Sequence, residues 1–522
     1  MAQNASRQDA CHTDAKERKR KMNKLKGLAT VCVSACMIAA VFPAQSNAQE
    51  NRGLVDVTVK DTEDFGCKKE KPDNSKYTIE YPSAEYETLQ DAVDAAKPGT
   101  TILIKGIVEE RVRIENDGIT LKSNGFAVLR GNKSMKNGGG LIEIAGKDIV
   151  VEDIELTNLY TFDPFQEDCA DGIRVEGGAS NVHILNCVVH HIGCIYGDYK
   201  YSEERENFNA HGISVKGEKD AMITDVVIKG CEVYKLTTGQ SESVVVNDNV
   251  EHFTVADNYI HDNDNIGIDL AGGFNGQHET DRARLGEVCG NRIENNSCYY
   301  FENAGYIEDD GEPGCGSDGI YVDGGVNIWI HDNFVAHCDI GLEISSENHG
   351  WTAEGIIAEN NVFVNNDLCG GILVGSQDPD ENGIARNNIV RNNTVINSDE
   401  RCLYLNVGEN NTVENNIFIC DSSPIAGEYI DDNSVENNAS NMSSELPGEN
   451  LDIKIDTDKD IDVNNKKGTA DLDVSGDVSG YGADTSDYSR EEKTCGEQIK
   501  DLCNKLRRIM MDPMYRNCSE SK

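Results

Sequence analysis

The sequence has few positive charges for its length. Among 522 residues, 48 are Lys or Arg and 92 are Asp or Glu, which gives a formal net charge of −44 at pH 7. Proteins that bind nucleic acids generally present a basic surface to the phosphate backbone, so we expect no nucleic-acid partner. The residues counted as hydrophobic nevertheless make up 38% of the chain, enough to build a folded core.

Long apolar runs are also scarce, and the most prominent one lies near the N-terminus. The basic segment 16–26 precedes the apolar stretch 28–42 and the small residues 46–48. This order is typical of a secretory signal peptide, whereas fifteen apolar residues are fewer than the roughly 20 of a transmembrane helix. We therefore predict a cleaved signal peptide over 1–48, a secreted protein and no membrane span; lipoprotein anchoring at Cys36 is the alternative. Cleavage would remove eight Lys or Arg and three Asp or Glu, leaving a net charge of −49.

Several common site patterns are missing as well. No spacing of His and Cys suggests a zinc site, and no Ser-His-Asp arrangement can be recognised. No glycine-rich loop stands between a strand pattern and a helix pattern, as a nucleotide site would require. The sequence therefore predicts neither a zinc site nor a nucleotide site.

The middle of the chain repeats one short unit. A helix is predicted over 86–97, followed by the apolar strand "TTILIKG", and from there to about Cys420 segments such as "DGIRVEGG", "HGISVKGE" and "DGIYVDGG" recur. Each unit contains three short β-branched strands separated by Gly or Asn turns, and no unit could bury its apolar face alone. The first apolar position of each unit recurs at Ile173, Ile213, Val244, Ile268, Ile320, Leu342, Ile372 and Leu403.

A second position recurs at the turn before the third strand of each unit. It is occupied by Ile154, Cys187, Cys231, Asn258, Asn291, Asn333, Asn361, Asn393 and Asn416. Asparagine tolerates a left-handed backbone, and its amide can hydrogen-bond to the same residue in the next unit. At Cys187 and Cys231, neighbouring units would suit either a disulfide or two small buried thiols.

Stacked parallel strands with an asparagine ladder resemble the pectin-lyase-like family of secreted polysaccharide-active proteins. The resemblance covers residues 86–420 and includes "LQDAVDAAKPGTTILIKG", which is similar to the N-terminal cap and first strand of that family. It implies an all-β fold, a right-handed parallel β-helix with an N-terminal capping helix and a small acidic C-terminal extension. The family includes lyases, hydrolases, epimerases and adhesins, so the fold alone does not define the chemistry.

These patterns divide the chain into five segments. We expect the signal peptide over 1–48, an N-terminal lead-in over 49–85 and the β-helix over 86–420. An acidic linker or edge strands would follow over 421–490, and a short Cys-containing helical tail over 491–522.

Side chains alternate along a strand, so the residue after each aligned apolar position faces outward. Consecutive units thereby bring three carboxylates, Asp269, Asp323 and Glu343, to one strip of the first sheet. The insertions 193–210, 273–287 and 297–317 bracket this strip and carry aromatic residues, among them Tyr300, in a chain with only 6% aromatics. Aromatic rings at the rim of a groove suit stacking against sugar rings.

The resemblance favours a polysaccharide lyase that cleaves a uronic-acid polymer by β-elimination, with Ca²⁺ neutralising the substrate carboxylate. Asp269, Asp323 and Glu343 would supply oxygen ligands to the calcium. Lyases of this family generally use Lys or Arg as the base, and the sequence lacks lysine between Lys235 and Lys454. The candidate catalytic residues are Arg284, Tyr321 and Lys216, and the candidate substrate-binding residues are Arg174, His211, Arg282, Asp318 and Tyr300.

Two other functions remain open. Asp269 and Glu343 lie two units apart, a spacing compatible with the paired carboxyl groups of an inverting glycoside hydrolase, although the paired-aspartate and Arg-Ile-Lys motifs of polygalacturonases are absent. A noncatalytic carbohydrate-binding or surface solenoid is the third hypothesis. In each case we expect a monomer whose partner is a polysaccharide.

Overall fold

The computed structural model describes residues 62–485, with internal gaps. The gaps are 133–134, 136–138, 164, 166–168, 198–206, 274–279, 298–315, 367–369, 377, 379, 398–400, 422, 456–460, 466 and 475–477. The predicted signal peptide over 1–48 and the predicted tail over 491–522 lie outside the described residues. Within the described part of the chain, no helix is both long and apolar enough to cross a membrane.

A short capping helix, Leu89–Ala95, lies inside the predicted range 86–97. It is shorter than predicted because Thr88 is its N-cap. The Thr88 side chain accepts a hydrogen bond from the Asp91 N–H, and the Asp91 side chain accepts one from the Thr88 N–H, which together form a capping box. Leu89, Ala92 and Val93 are buried, so the helix covers the first coil of strands with its apolar face.

Parallel strands then wind through two sheets. The first, called here the small sheet, has 11 strands in the part of the chain that the structure describes: Val112–Ile114, Gly139–Ile144, Ala170–Glu176, Ala210–Lys216, Val244–Asn247, Ile268–Ala271, Asp318–Asp323, Ile340–Ser345, Gly370–Val374, Leu403–Leu405 and Ile425–Ala426.

The second, called here the large sheet, has 27 strands among the described residues because most coils contribute at least two. They are Tyr77–Tyr81, Thr100–Val108, Ile119–Arg130, Lys147–Glu152, Glu155–Thr161, Ser180–Leu185, Val188–Cys194, Ile223–Lys229, Glu232–Tyr234, Val250–Ala256, Tyr259–His261, Ala283–Cys289, Arg292–Glu294, Val326–His331, Phe334–Ala336, Thr352–Glu354, Ile357–Glu359, Val362–Val364, Ile384–Arg386, Ile389–Arg391, Thr394–Asn397, Gly408–Glu409, Thr412–Glu414, Ile417–Cys420, Ser434–Glu436, Ala439–Ser440 and Leu451–Asp452.

This architecture confirms the predicted right-handed parallel β-helix. The eight aligned apolar positions pair in register from one coil to the next, beginning with Ile173 and Ile213 and ending with Ile372 and Leu403. All eight have no exposed surface, so they form one wall of a continuous core. Burial of these side chains is the main stabilising contribution of each coil, since a single coil cannot bury its apolar face without its neighbours.

The asparagine ladder is present and carries the corner hydrogen bonds. The side-chain oxygen of each ladder Asn accepts the backbone N–H of the residue one coil earlier, as in Asn333 N–H to Asn361 (3.0 Å) and Asn361 N–H to Asn393 (2.9 Å). The left-handed residue is the one before the ladder position, for example Asp332 (φ 54°) and Asn360 (φ 57°), and not the ladder Asn itself. Cys187 and Cys231 take the ladder position in earlier coils as buried free thiols, not a disulfide.

The stack extends past both predicted boundaries. Strand Tyr77–Tyr81, which precedes residue 86, pairs with strand Thr100–Val108. At the other end, parallel strands continue beyond residue 420 to Leu451–Asp452. The ladder explains this extension, because Asn438 and Asn450 repeat the hydrogen bonds of Asn416 one and two coils later. An antiparallel hairpin of Ile461–Asn464 and Thr469–Leu472 follows. Short 3₁₀ helices span Thr62–Asp64, Ile430–Asp432 and Ser443–Glu445.

Candidate functional site

One row of outward positions runs along the small sheet. Paired in register, its members are Arg113, Glu143, Arg174, Ser214, Val245, Asp269, Tyr321, Glu343, Leu373 and Tyr404. Within this row, Tyr321 lies directly between Asp269 and Glu343 in the adjacent strands. The structure therefore brings these three candidate residues together on one face.

A group of carboxyl groups surrounds Tyr321. We refer to Glu242, Asp269, Asp318, Asp323, Glu343 and Glu347 as the acidic cluster. Within it, Asp269, Asp318 and Asp323 are only 5%, 2% and 1% exposed, and the other three are half-buried. The backbone N–H of Glu347 donates to Asp323 Oδ1 (2.7 Å), which ties the strand end after Glu343 to the neighbouring coil.

Burial and mutual repulsion raise the pKa values in the acidic cluster. Burial is the main cause for Asp269, Asp318 and Asp323, whose pKa values lie well above the ordinary range, and the charges of the other cluster members add to it. Burial and the charge of Glu347 raise the pKa of Glu343 to about 8, and burial and Glu242 raise that of Glu347 to about 7. Burial also raises the pKa of Tyr321 well above its ordinary value, so its hydroxyl stays protonated at neutral pH.

Two oxygens of the acidic cluster lack the hydrogen bonds that buried polar atoms normally have. Among the described residues, Asp269 Oδ1 and Asp318 Oδ1 have no hydrogen-bond partner. No Lys or Arg of the described chain forms an ion pair with any cluster member. These carboxyl groups must therefore share protons, or bind a cation or ligand, to offset the cost of burial.

A second polar group adjoins the cluster in earlier coils. Asp171, which is fully buried, accepts hydrogen bonds from His211 Nδ1 (2.8 Å), Arg174 Nε (2.6 Å) and Ser214 Oγ (2.9 Å). Burial alone would raise the pKa of Asp171, but His211 and Arg174 outweigh it and hold the pKa below its ordinary value. His211 Nε2 lies 3.6 Å from Glu242 Oε2, so this ion-pair group continues into the acidic cluster.

Several predicted residues lie elsewhere or are already engaged. Arg284 lies on the large sheet, where it pairs with Glu251 (2.8 Å) and donates to Thr280 O, so the structure does not bring it to the acidic cluster. Arg282 packs over the Trp351 ring at 4.4 Å and donates to Thr352 O.

Lys216 and Tyr300 are two further candidate residues from the sequence. Lys216 is half-buried on the small sheet, in register with Glu176 and Asn247, in the coil that contains His211. Tyr300 lies outside the described residues. Of the three candidate catalytic residues, only Tyr321 lies within the acidic cluster.

The structure also adds residues that sequence reasoning missed. Asp171 organises the ion-pair group, while Glu242 and Glu347 extend the acidic cluster, yet none follows an aligned apolar position directly. Glu347 has a weak sequence signal, since "EISSE" places it four residues after Glu343 at the end of the strand. Asp171 and Glu242 have one too, since each stands two residues before an aligned apolar position, Ile173 or Val244, as His211 stands before Ile213.

Comparison with known proteins gives one sequence relative. No protein-family model matches the chain. The chain is 33% identical over 390 residues to the "Uncharacterized protein YwoF" of Bacillus subtilis (strain 168), an alignment that covers 71% of this chain and 77% of YwoF.

Similar solved structures share the fold at low identity. They include the Yersinia enterocolitica Family 28 exopolygalacturonase (TM-score 0.47, 13% identity, 72% of this chain and 75% of that chain). The Azotobacter vinelandii mannuronan C-5 epimerase AlgE6 A-module has a TM-score of 0.43 and 14% identity, covering 67% of this chain and 93% of that chain. The Eubacterium ramulus GH136 lacto-N-biosidase has a TM-score of 0.41 and 12% identity, covering 69% of this chain and 67% of that chain. By sequence the chain belongs to the same family as YwoF, and its fold is a right-handed parallel β-helix.

Proposed function

We propose that this protein is a glycoside hydrolase that binds a polysaccharide along the small sheet and uses Asp269 and Glu343 as its paired carboxyl groups. The observation that carries the proposal is their placement in one row, on either side of Tyr321, in a cluster that has no Lys or Arg ion-pair partner among the described residues. Two coils separate their backbones by about 9.6 Å. Inverting glycosidases place their carboxyl groups roughly 6.5–9.5 Å apart, which leaves room for a water molecule.

The raised pKa values are compatible with Asp269 as the general acid and Glu343 as the general base. Burial and the neighbouring charges raise the pKa of Asp269 well above its ordinary range, which favours the protonated carboxyl that can donate a proton to the glycosidic oxygen as the bond to the anomeric carbon breaks. Glu343, whose pKa burial raises to about 8, would in its ionised form take a proton from the water that attacks the anomeric carbon. The protonated Tyr321 hydroxyl between them can donate a hydrogen bond to the substrate.

The charge distribution favours this chemistry over elimination on a polyuronide. With a net charge of −49 after the predicted cleavage, the protein would need local positive charges to bind an anionic polymer. Arg174 is paired with Asp171, Arg282 is stacked on Trp351, and Arg284 is paired with Glu251. Those guanidinium groups already have partners, which leaves a neutral glycan as the favoured substrate class.

One observation favours the predicted calcium-dependent lyase as a second candidate. Asp269 and Asp318 each have an unpartnered buried oxygen that a hard cation could satisfy. Among the described residues no three carboxylate oxygens of the cluster lie within 4.8 Å of one another, so the side chains would have to move before Asp323 and Glu343 completed the ligand set. Bound calcium would neutralise a substrate carboxylate. In that case Tyr321 would protonate the leaving oxygen, and Lys216 would be the candidate base on the same sheet.

A panel of neutral and acidic polysaccharides, each assayed with calcium and with a chelator, separates the candidates. We expect new reducing ends without the ultraviolet absorbance of an unsaturated uronide, and no loss of activity with the chelator. Absorbance from unsaturated products that requires calcium would overturn the hydrolase in favour of the lyase. Binding without any product would favour the noncatalytic solenoid.

Two amide variants test the paired carboxyl groups. Asp269→Asn and Glu343→Gln should each lower kcat by about 10²–10⁴-fold. Tyr404→Phe, in the same row two coils beyond Glu343, is the matched control and should retain activity. Full activity in both amide variants would refute the assignment.

A further inference from the structure

Three potential ligand side chains meet on the outer face of the large sheet, on two strands that are adjacent only in the fold. Cys289 pairs in register with His331, and Glu287 pairs with Trp329. Because side chains two residues apart share a face of a strand, Glu287 and Cys289 point the same way, and His331 lies across from them. All three are half-buried. We refer to Glu287, Cys289 and His331 as the Cys-His-Glu cluster.

The ligand atoms of this cluster are already close together. One carboxylate oxygen, one thiol sulfur and one imidazole nitrogen lie within 4.8 Å of one another. His331 Nε2 and Glu287 Oε1 are 3.2 Å apart. Around a tetrahedral zinc ion, ligands bound at about 2.0–2.3 Å are about 3.3–3.8 Å from one another. A metal ion therefore requires only small side-chain movements.

The His331 ring is oriented as a metal ligand would be. Its Nδ1 hydrogen-bonds Asp332 Oδ2 at 2.6 Å, which directs Nε2 toward Glu287 and Cys289. A carboxylate on the far nitrogen is the usual way in which proteins orient a metal-binding histidine. The Trp329 ring stacks on the imidazole with centroids 3.7 Å apart, and its Nε1 donates to Glu359 (2.8 Å), so the ring is also held from one side.

An earlier segment of the chain packs over Glu287. Gly66 has φ +76°, and a Cβ atom there would lie 2.7 Å from Glu287 Oε2, so only glycine fits. The Gly66 N–H donates to Leu285 O (3.0 Å) and the Cys67 N–H to Thr254 Oγ1 (2.9 Å), which fixes the segment against the same strands. The carboxylate is thereby partly shielded from water, which strengthens its interaction with a cation.

We propose that Glu287, Cys289 and His331 bind a divalent transition metal ion of the zinc type. Sulfur and imidazole ligands select against calcium and magnesium, which prefer oxygen, and three protein ligands leave a fourth position for water. The site is separate from the acidic cluster and independent of the proposed function, since it lies on the other sheet. The sequence predicted no zinc site because its ligands come from two coils joined by a long insertion rather than from a short His/Cys spacing.

Cobalt titration of the chelator-treated full-length protein tests this site directly. We expect visible bands of tetrahedral Co²⁺ and a near-ultraviolet thiolate-to-cobalt charge-transfer band, saturating at one equivalent and abolished by Zn²⁺. Cys289→Ser should remove the charge-transfer band. Asp332→Asn, which disturbs only the orientation of His331, should weaken binding by about 10–100-fold.

Two matched controls distinguish this site from other thiols and histidines. His261 also pairs with a carboxylate at Nδ1 (Asp262, 2.9 Å) and lies 3.5 Å from Glu232, yet it lacks a cysteine, so His261→Gln should leave the spectrum unchanged. Cys169→Ser, at a half-buried thiol on the edge of the small sheet, should likewise have no effect.

Three results would overturn the proposal. They are the absence of a charge-transfer band at any cobalt concentration, its persistence in Cys289→Ser, and its loss in either control. If Cys289→Ser does not fold, Glu287→Gln provides the same test, with weakened Co²⁺ binding expected and unchanged binding refuting the assignment.

Discussion

A buried carboxyl group near the corner of one coil should make the protein less stable as the pH rises. Asp264 has no exposed surface, and its Oδ1 accepts hydrogen bonds from the Thr238 N–H (2.8 Å) and Oγ1 (3.0 Å). Its Oδ2 has no partner among the described residues. Burial is the main reason that the pKa of Asp264 rises from 3.8 to about 7. Replacing it with Asn, which resembles the protonated acid and keeps the Oδ1 acceptor, removes this titration.

The direction and size of this pH effect on stability follow from the pKa values of Asp264 in the unfolded and folded states. Between pH 3.8 and about 7 the unfolded carboxyl is ionised while the folded one keeps its proton, so the folded state binds more protons and stability falls as the pH rises. At 1.36 kcal/mol per pH unit, the full penalty reaches about 4 kcal/mol above pH 7. The free energy of unfolding of the Asp264→Asn variant, relative to that of wild type, should therefore rise by about 3 kcal/mol between pH 5 and pH 8.

Urea unfolding of wild type and Asp264→Asn at both pH values measures this difference. Asp171→Asn is the control, since it is equally buried but its pKa is held below the ordinary value. Asp171 is ionised in both states across this range, so its replacement removes no carboxyl titration and should destabilise the protein by about 3–5 kcal/mol through loss of the pairs with His211 and Arg174. An Asp264→Asn effect that is the same at pH 5 and pH 8 would refute the reasoning.

Three further predictions concern the fold. Asn361→Ala removes the acceptor of the Asn333 N–H and should lower the free energy of unfolding by about 3–5 kcal/mol. Asn450→Ala, at the half-buried end of the ladder, should lower it by only about 1 kcal/mol. Similar urea midpoints for the two variants would contradict this. Alkylation should modify Cys187 and Cys231 only after unfolding, because both thiols are buried; modification of the native protein, or a disulfide in the unreduced protein, would refute it. Thr88→Ala should lower stability by about 1 kcal/mol in the same urea assay through loss of the capping box, and no change would exclude that role.

The arrangement of the small sheet could be predicted because it depends only on the alternation of inward and outward side chains along each strand. Once Ile268, Ile320 and Leu342 are assigned to the core, the next residue of each strand must face outward, and register then aligns Asp269, Tyr321 and Glu343. The position of Arg284 could not be obtained in this way. It follows a long insertion, and the sequence does not reveal whether such a segment returns to the small sheet or begins a strand of the large one.

The sequence by itself therefore determined the stacking of coils, the burial of their apolar positions and the asparagine ladder, since each depends on a local pattern repeated along the chain. Beyond the row of Asp269, Tyr321 and Glu343, tertiary structure decided which polar side chains meet. Cys289 meets His331 across a long insertion, and no local sequence pattern shows which strands such an insertion brings side by side. The physical reason is that burial needs only an apolar face, whereas an ion pair or a metal site needs particular atoms within a few ångströms of each other.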